Sequence, residues 1–90
     1  MSFNESVREK LPPHSIVLDN ESYDNSIIGV SLDDRVIYSY EMMVGEYMRD
    51  NNCTEDEAMD WIDYNTIRAI PYFPNPRPMI VSEVIGFDLF

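Results

Sequence analysis

The sequence predicts an α+β domain: a small, mostly antiparallel sheet with two central helices packed on one of its faces. Three observations lead there. Ser26 to Leu32 and Arg35 to Ser39 are β-rich runs separated by Asp33-Asp34, from Tyr40 the apolar period lengthens from two towards four, and Thr54-Glu55-Asp56-Glu57 has the spacing of a capping box. The chain of 90 residues is expected to form one domain over 1–90, near the lower end of what builds a core without staples. Residues 1–14 form an N-terminal arm and 86–90 a tail.

Along the chain, Asn4 to Leu11 is expected to be a short helix stopped by Pro12-Pro13. Ser15 to Leu18 is a strand candidate, and the polar residues from Asp19 to Asn25 read as a loop. The runs on either side of Asp33-Asp34 form a hairpin with a tight turn. Tyr40, Met43, Val44, Tyr47 and Met48 then share one face of a first helix that ends near Asn51-Asn52, while Met42 faces outward. A second helix starts at Glu55 and ends before Pro71, burying Ala58, Trp61, Ile62 and Ala69, with the Asn65 amide in the middle of that face. Pro71, Pro74, Pro76 and Pro78 enclose a rigid connection, and Met79 to Ile85 is the last strand.

The formal net charge is −11, yet hydrophobic residues make up 44% of the chain, which is too apolar for a disordered acidic tail. Such a charge repels nucleic acid and anionic membranes and steers the chain towards basic surfaces. Direct nucleic-acid binding is therefore disfavoured, and a basic protein partner is favoured. No apolar run approaches the roughly 20 residues of a membrane-spanning helix. The lone Cys53 and a start, Met1-Ser2-Phe3-Asn4-Glu5, without the pattern of a signal peptide point to a cytoplasmic location.

The charge is concentrated. Residues 41–66 hold eight acids and one base, whereas 67–90 is neutral. At about 100° per residue, Asp56, Asp60 and Asp63 fall in one stripe of the second helix, flanked by Glu57 and opposite Ala58 and Ile62. Their Cβ atoms are expected about 5–6 Å apart, a spacing that a basic nucleic-acid channel can accept in place of phosphates. Ile67 and Tyr64 lie at the C-terminal end of that stripe as apolar anchors. The candidate partner-binding residues are thus Asp56, Glu57, Asp60, Asp63, Tyr64 and Ile67. The plainer account of the same residues is a solvated helix face that keeps a small protein soluble.

Catalytic chemistry finds little to work with. His14 is the only histidine, so neither a His-pair metal site nor a Cys/His nucleophile system can be assembled, and it reads as a surface residue. Cys53 precedes a helix start but has no general base, Gly29, Gly45 and Gly86 form no phosphate loop, and the loop from Asp19 lacks the glycine and glutamate of an EF-hand. No enzymatic activity, metal or cofactor is expected. Arg68, one turn after Tyr64, is placed for a cation–π contact or for an ion pair with Asp63.

Three runs carry a resemblance: Tyr23-Asp24-Asn25-Ser26-Ile27-Ile28-Gly29-Val30, Arg35-Val36-Ile37-Tyr38-Ser39-Tyr40, and Glu57-Ala58-Met59-Asp60-Trp61-Ile62-Asp63-Tyr64-Asn65-Thr66-Ile67-Arg68-Ala69-Ile70-Pro71-Tyr72. They resemble small proteins encoded by phages and mobile elements of gut bacteria, mostly Firmicutes. The resemblance spans roughly Tyr23 to Val81 and implies an origin, with no catalytic residues to carry over. Small acidic phage proteins include anti-CRISPR and anti-restriction proteins that imitate DNA. That setting and the acidic stripe together lead to the expectation of an inhibitor of a basic, nucleic-acid-binding host protein, such as a CRISPR effector, in the bacterial cytoplasm. The alternative is a structural or regulatory phage protein that self-associates, with Met79 to Ile85 adding to a sheet edge and Phe87, Leu89 and Phe90 docking on a neighbour.

Overall fold

The β-rich runs around Asp33-Asp34 close as a hairpin in the computed structural model, which describes residues 8–82. β1 (Ile27–Val30) pairs antiparallel with β2 (Val36–Ser39), matching Ile27 to Tyr38, Gly29 to Ile37 and Val30 to Val36, with a bulge between Ile27 and Gly29. The Asp34 backbone turns the corner with φ 66°, a left-handed conformation that Asp tolerates better than most residues. Its amide donates to the Ser31 carbonyl at 3.0 Å, and the Ser31 amide donates to the Arg35 carbonyl at 2.8 Å.

β3 (Met79–Val81) lies parallel to β2 on its other side, so the strand order is β1-β2-β3. Parallel neighbours need a long crossover, and residues 40–78 supply one that carries both helices. The result is an α+β fold on a small sheet, as the sequence predicts. The expected strand over Ser15 to Leu18 does not form. Both edges of β2 are taken, and the Leu18 amide donates instead to the Tyr38 hydroxyl oxygen at 2.9 Å. The expected loop from Asp19 is largely a 3₁₀ helix, Glu21–Ser26, opened by Asn20, whose side chain accepts from the Ser22 amide. It buries Tyr23, Asp24 and Ser26. Asp24 has no exposed surface, and both of its oxygens accept from the Arg8 guanidinium, which ties the start of the described chain to the core. The rest of the expected N-terminal helix, and the last strand beyond Ser82 with its tail, lie outside the described residues.

α1 (Tyr40–Asn51) begins where the Ser39 hydroxyl accepts from the Met42 amide and ends on Asn52, left-handed at φ 50°. Met43 and Val44 are buried, Tyr40, Tyr47 and Met48 pack against the core, and Met42 faces out. α2 (Glu55–Trp61) opens with the full capping box: Thr54 accepts from the Glu57 amide, and Glu57 accepts from the Thr54 amide.

The regular helix stops at Trp61, ten residues before Pro71. Ile62–Thr66 is a π turn, in which the Ile67 amide reaches back five residues to the Ile62 carbonyl, and Ile67–Tyr72 continues as a 3₁₀ helix that accommodates Pro71. The π turn holds one residue more than an α turn, and that surplus overturns two expectations at once. In a regular helix Ile67 lies about 180° around from Ala58; with one residue absorbed it swings to about 80°. Ile67 is therefore in the core at 8% exposure, beside Ile62 and Ile70. Asn65, expected inside, is carried outward and exposed, its amide donating to the Trp61 carbonyl at 3.0 Å. Trp61 itself, about 60° from Ala58 on the helix flank, is 45% exposed rather than buried, with its ring against Tyr47 at 5.2 Å.

Two outcomes follow from this packing. Ile67→Ala removes a buried side chain and lowers unfolding free energy by about 2–5 kcal/mol in urea denaturation; a loss of only about 0.5 kcal/mol is what a regular helix with Ile67 outside would give. Burial pushes the Tyr23 and Tyr38 phenols from 10.0 up to about 12. The unfolded chain ionises them first, so their contribution to stability is complete below pH 10 and is lost as pH rises towards 12. The thermal midpoint should fall over that window, and less steeply in Tyr38→Phe.

Candidate functional site

α2 and the π turn together build an open concavity of about 790 Å³ on the outer side of the helix. Glu57, Asp60, Trp61, Asp63, Tyr64, Asn65 and Arg68 line it. Four of the six candidate residues from the sequence, Glu57, Asp60, Asp63 and Tyr64, meet there. Asp56 is exposed one turn earlier, outside the concavity. Ile67 does not belong to the site, because the π turn has placed it in the core. The surplus residue also breaks the expected regular row. Asp56 and Asp60 stand on true α-helix, whereas Asp63 falls inside the π turn, so the carboxylates ring a hollow instead of following one line.

These carboxylates are not equivalent. Glu57 is committed to the helix cap, and the Thr54 backbone and side-chain donors hold its carboxyl below the usual carboxylate range. Asp63 accepts from the Tyr40 hydroxyl at 2.7 Å, which fixes its direction. Burial, and then that bond to the Asp63 carboxyl, push the Tyr40 phenol well above its usual value, so it remains a donor throughout the neutral range. Among the described residues, Asp56 and Asp60 are the acids of this face that make no such bond, and of the two only Asp60 opens on the hollow.

The aromatic side of the site is more exposed than the sequence suggests. Tyr64 is 68% exposed, and the Arg68 guanidinium lies over its ring at 4.8 Å, the cation–π contact expected from their spacing. Trp61 was assigned to the core by its neighbours Ala58 and Ile62. Its place on the helix flank, beside the outward i+3 neighbour Tyr64, was the signal for the opposite reading. A large aromatic left half in water amid carboxylates has the chemistry of a recognition surface for cationic side chains.

Elsewhere the chain has few chemical groupings. His14 is exposed and lies 2.9 Å from an oxygen of Asp34, and Cys53 is a half-buried free thiol. Among the described residues, no group of three His, Cys, Asp or Glu is arranged to hold a metal ion, and no helix is long and apolar enough to cross a membrane. Comparisons with protein-family models, curated proteins and solved structures found no match.

If the π turn serves display and not stability, one residue can leave it without loss of the fold. Deletion of Asn65 should convert the turn to α-helix, keep Ile67 and Ile70 in the core and leave the thermal midpoint within a few degrees. Deletion of Met59 from the regular part of α2 rotates the core residues out of register and should unfold the chain. Circular dichroism melts of the two variants read the difference.

Proposed function

We propose that this chain is a protein-binding inhibitor that docks the outer face of α2 and the π turn on a basic surface of a nucleic-acid-binding protein. The observation that carries this reading is the concavity, in which the Trp61 and Tyr64 rings sit among the Glu57, Asp60 and Asp63 carboxylates. A net charge of −11 supplies long-range attraction to basic surfaces. The exposed rings supply the contact area that solvated carboxylates alone lack. In this reading the carboxylates occupy the positions that phosphates would take in a basic channel, and the indole anchors the complex. The sequence likeness to phage and mobile-element proteins makes a host defence protein, such as a CRISPR effector, the target favoured on this reading.

A second reading has an observation of its own. β1 is an edge strand whose Ile28 and Val30 are exposed, and Leu32, in the turn beyond it, is fully exposed, a surface on which another copy could add a strand. The bulge beside Ile28 and the mutual repulsion of two acidic chains both oppose it.

Affinity capture from bacterial host lysate tests both readings, with the wild type beside Asp56→Asn/Asp60→Asn/Asp63→Asn and beside Trp61→Ala. On the first reading a nucleic-acid-binding protein is retained by the wild type and displaced by duplex DNA. Neutralising the three acids slows association about tenfold or more at low salt, and Trp61→Ala weakens binding by about 2 kcal/mol or more. Recovery of only the protein itself, with a dimer by solution mass, supports the edge strand instead.

A further inference from the structure

A smaller hollow of about 270 Å³ adjoins the acidic concavity and shares Trp61 and Asn65 with it. On this second side the indole faces a different chemistry. Leu18, Tyr23, Ala69 and Phe73 give it a mostly apolar wall, with Asp19, Asn20 and Thr66 among its other lining residues and no carboxylate from α2 or the π turn. Drug-sized ligands occupy about 300–1,000 Å³, so this volume suits one side chain. The tyrosine here is nearly closed off, at 3% exposure, and its hydroxyl lies near Thr66 without a hydrogen bond of normal geometry.

We propose that Trp61 is the ridge of a single two-part docking groove. The acidic concavity takes a guanidinium or ammonium side chain, and the smaller hollow takes an apolar side chain from the same segment of the partner. The proposal rests on the reading of the acidic face as a protein-binding site and adds the kind of segment it accepts. Charge complementarity identifies the occupant of the larger part, where three carboxylates face a single cation, Arg68. Arg68 also displays the arrangement a partner cation would adopt, with its guanidinium over the Tyr64 ring. The indole then offers one flank to that cation and the other to the apolar neighbour, which accounts for a half-exposed tryptophan on a domain that seals Tyr23 and Tyr38 almost completely. A second copy of this chain is a poor occupant, since it brings a further −11 of charge to an acidic rim.

Trp61 is the only tryptophan, so its fluorescence reports occupancy on either flank. The test titrates the intact chain with three blocked peptides: Gly-Arg-Ala-Leu-Gly, Gly-Arg-Ala-Ala-Gly and Gly-Ala-Ala-Leu-Gly. In an extended segment the first and third of the three central side chains point the same way and can straddle the ridge. The expected result is that the Arg-and-Leu peptide binds about tenfold more tightly than the Arg-only peptide, and that the Leu-only peptide binds weakest. Ala69→Leu, which fills the smaller hollow, should erase the advantage of leucine and leave the Arg-only affinity unchanged; Asp60→Asn should weaken both Arg peptides alike. Equal binding of the two Arg peptides to the wild type overturns the two-part groove and leaves the acidic site standing. Leu-only binding as tight as that of the full peptide, insensitive to salt and to Asp60→Asn, overturns the pairing of cation and apolar side chain and removes the acidic reading with it. Absence of any fluorescence or NMR shift up to millimolar peptide overturns both.

Discussion

The bond from the Ile67 amide to the Ile62 carbonyl sets the phase of everything that follows it. An α turn there would leave Ile67 in water and bring Asn65 against the core, a polar amide in place of a branched apolar side chain. Taking one surplus residue into the π turn lets Ala58, Ile62, Ile67 and Ile70 face inward along one continuous core line, although their sequence spacing does not fit a single helical period. The same surplus widens the outer surface where Asp63, Tyr64 and Asn65 are displayed. Core closure and site opening therefore share one backbone event, in keeping with the frequency of π turns at functional sites.

Much of the architecture was legible because it rests on local chemistry. The hairpin around Asp33-Asp34, the start of α1 after Ser39 and the Thr54–Glu57 box each involve a few adjacent residues whose hydrogen bonds are nearly independent of the rest of the chain. The parts that were not legible depend on non-local pairing. Ser15 to Leu18 has the composition of a strand but no vacant edge of β2 to join, and the polar residues after Asp19 fold into a 3₁₀ helix because Tyr23 and Asp24 have a core and a guanidinium to meet.

The candidate site was half legible for the same reason. A periodic model of the helix places Asp56, Glu57, Asp60 and Tyr64 on the outside wherever the helix ends, so these four survive a change of phase. Ile67 and Asn65 lie at or beyond the phase change and exchanged places relative to the reading. Trp61 stood on the boundary between faces, where periodicity has least to say and the covering partner, here the Tyr47 ring, decides exposure. Of the charges, position could be read, and commitment only where it is local: that Glu57 belongs to a cap was visible in the Thr54 spacing, whereas the Tyr40 bond to Asp63 joins residues 23 apart.

The grip of Arg8 on Asp24 binds the segment before the two prolines into this unit of structure. A carboxylate with no exposed surface, lodged in the 3₁₀ helix beside Tyr23, has its countercharge supplied from a position sixteen residues earlier. The stretch expected as an N-terminal arm therefore supplies the countercharge of the interior, and a chain begun after residue 8 would leave the buried Asp24 without it. The folding unit thus reaches at least as far as Arg8, upstream of the first strand and of the two prolines at 12 and 13.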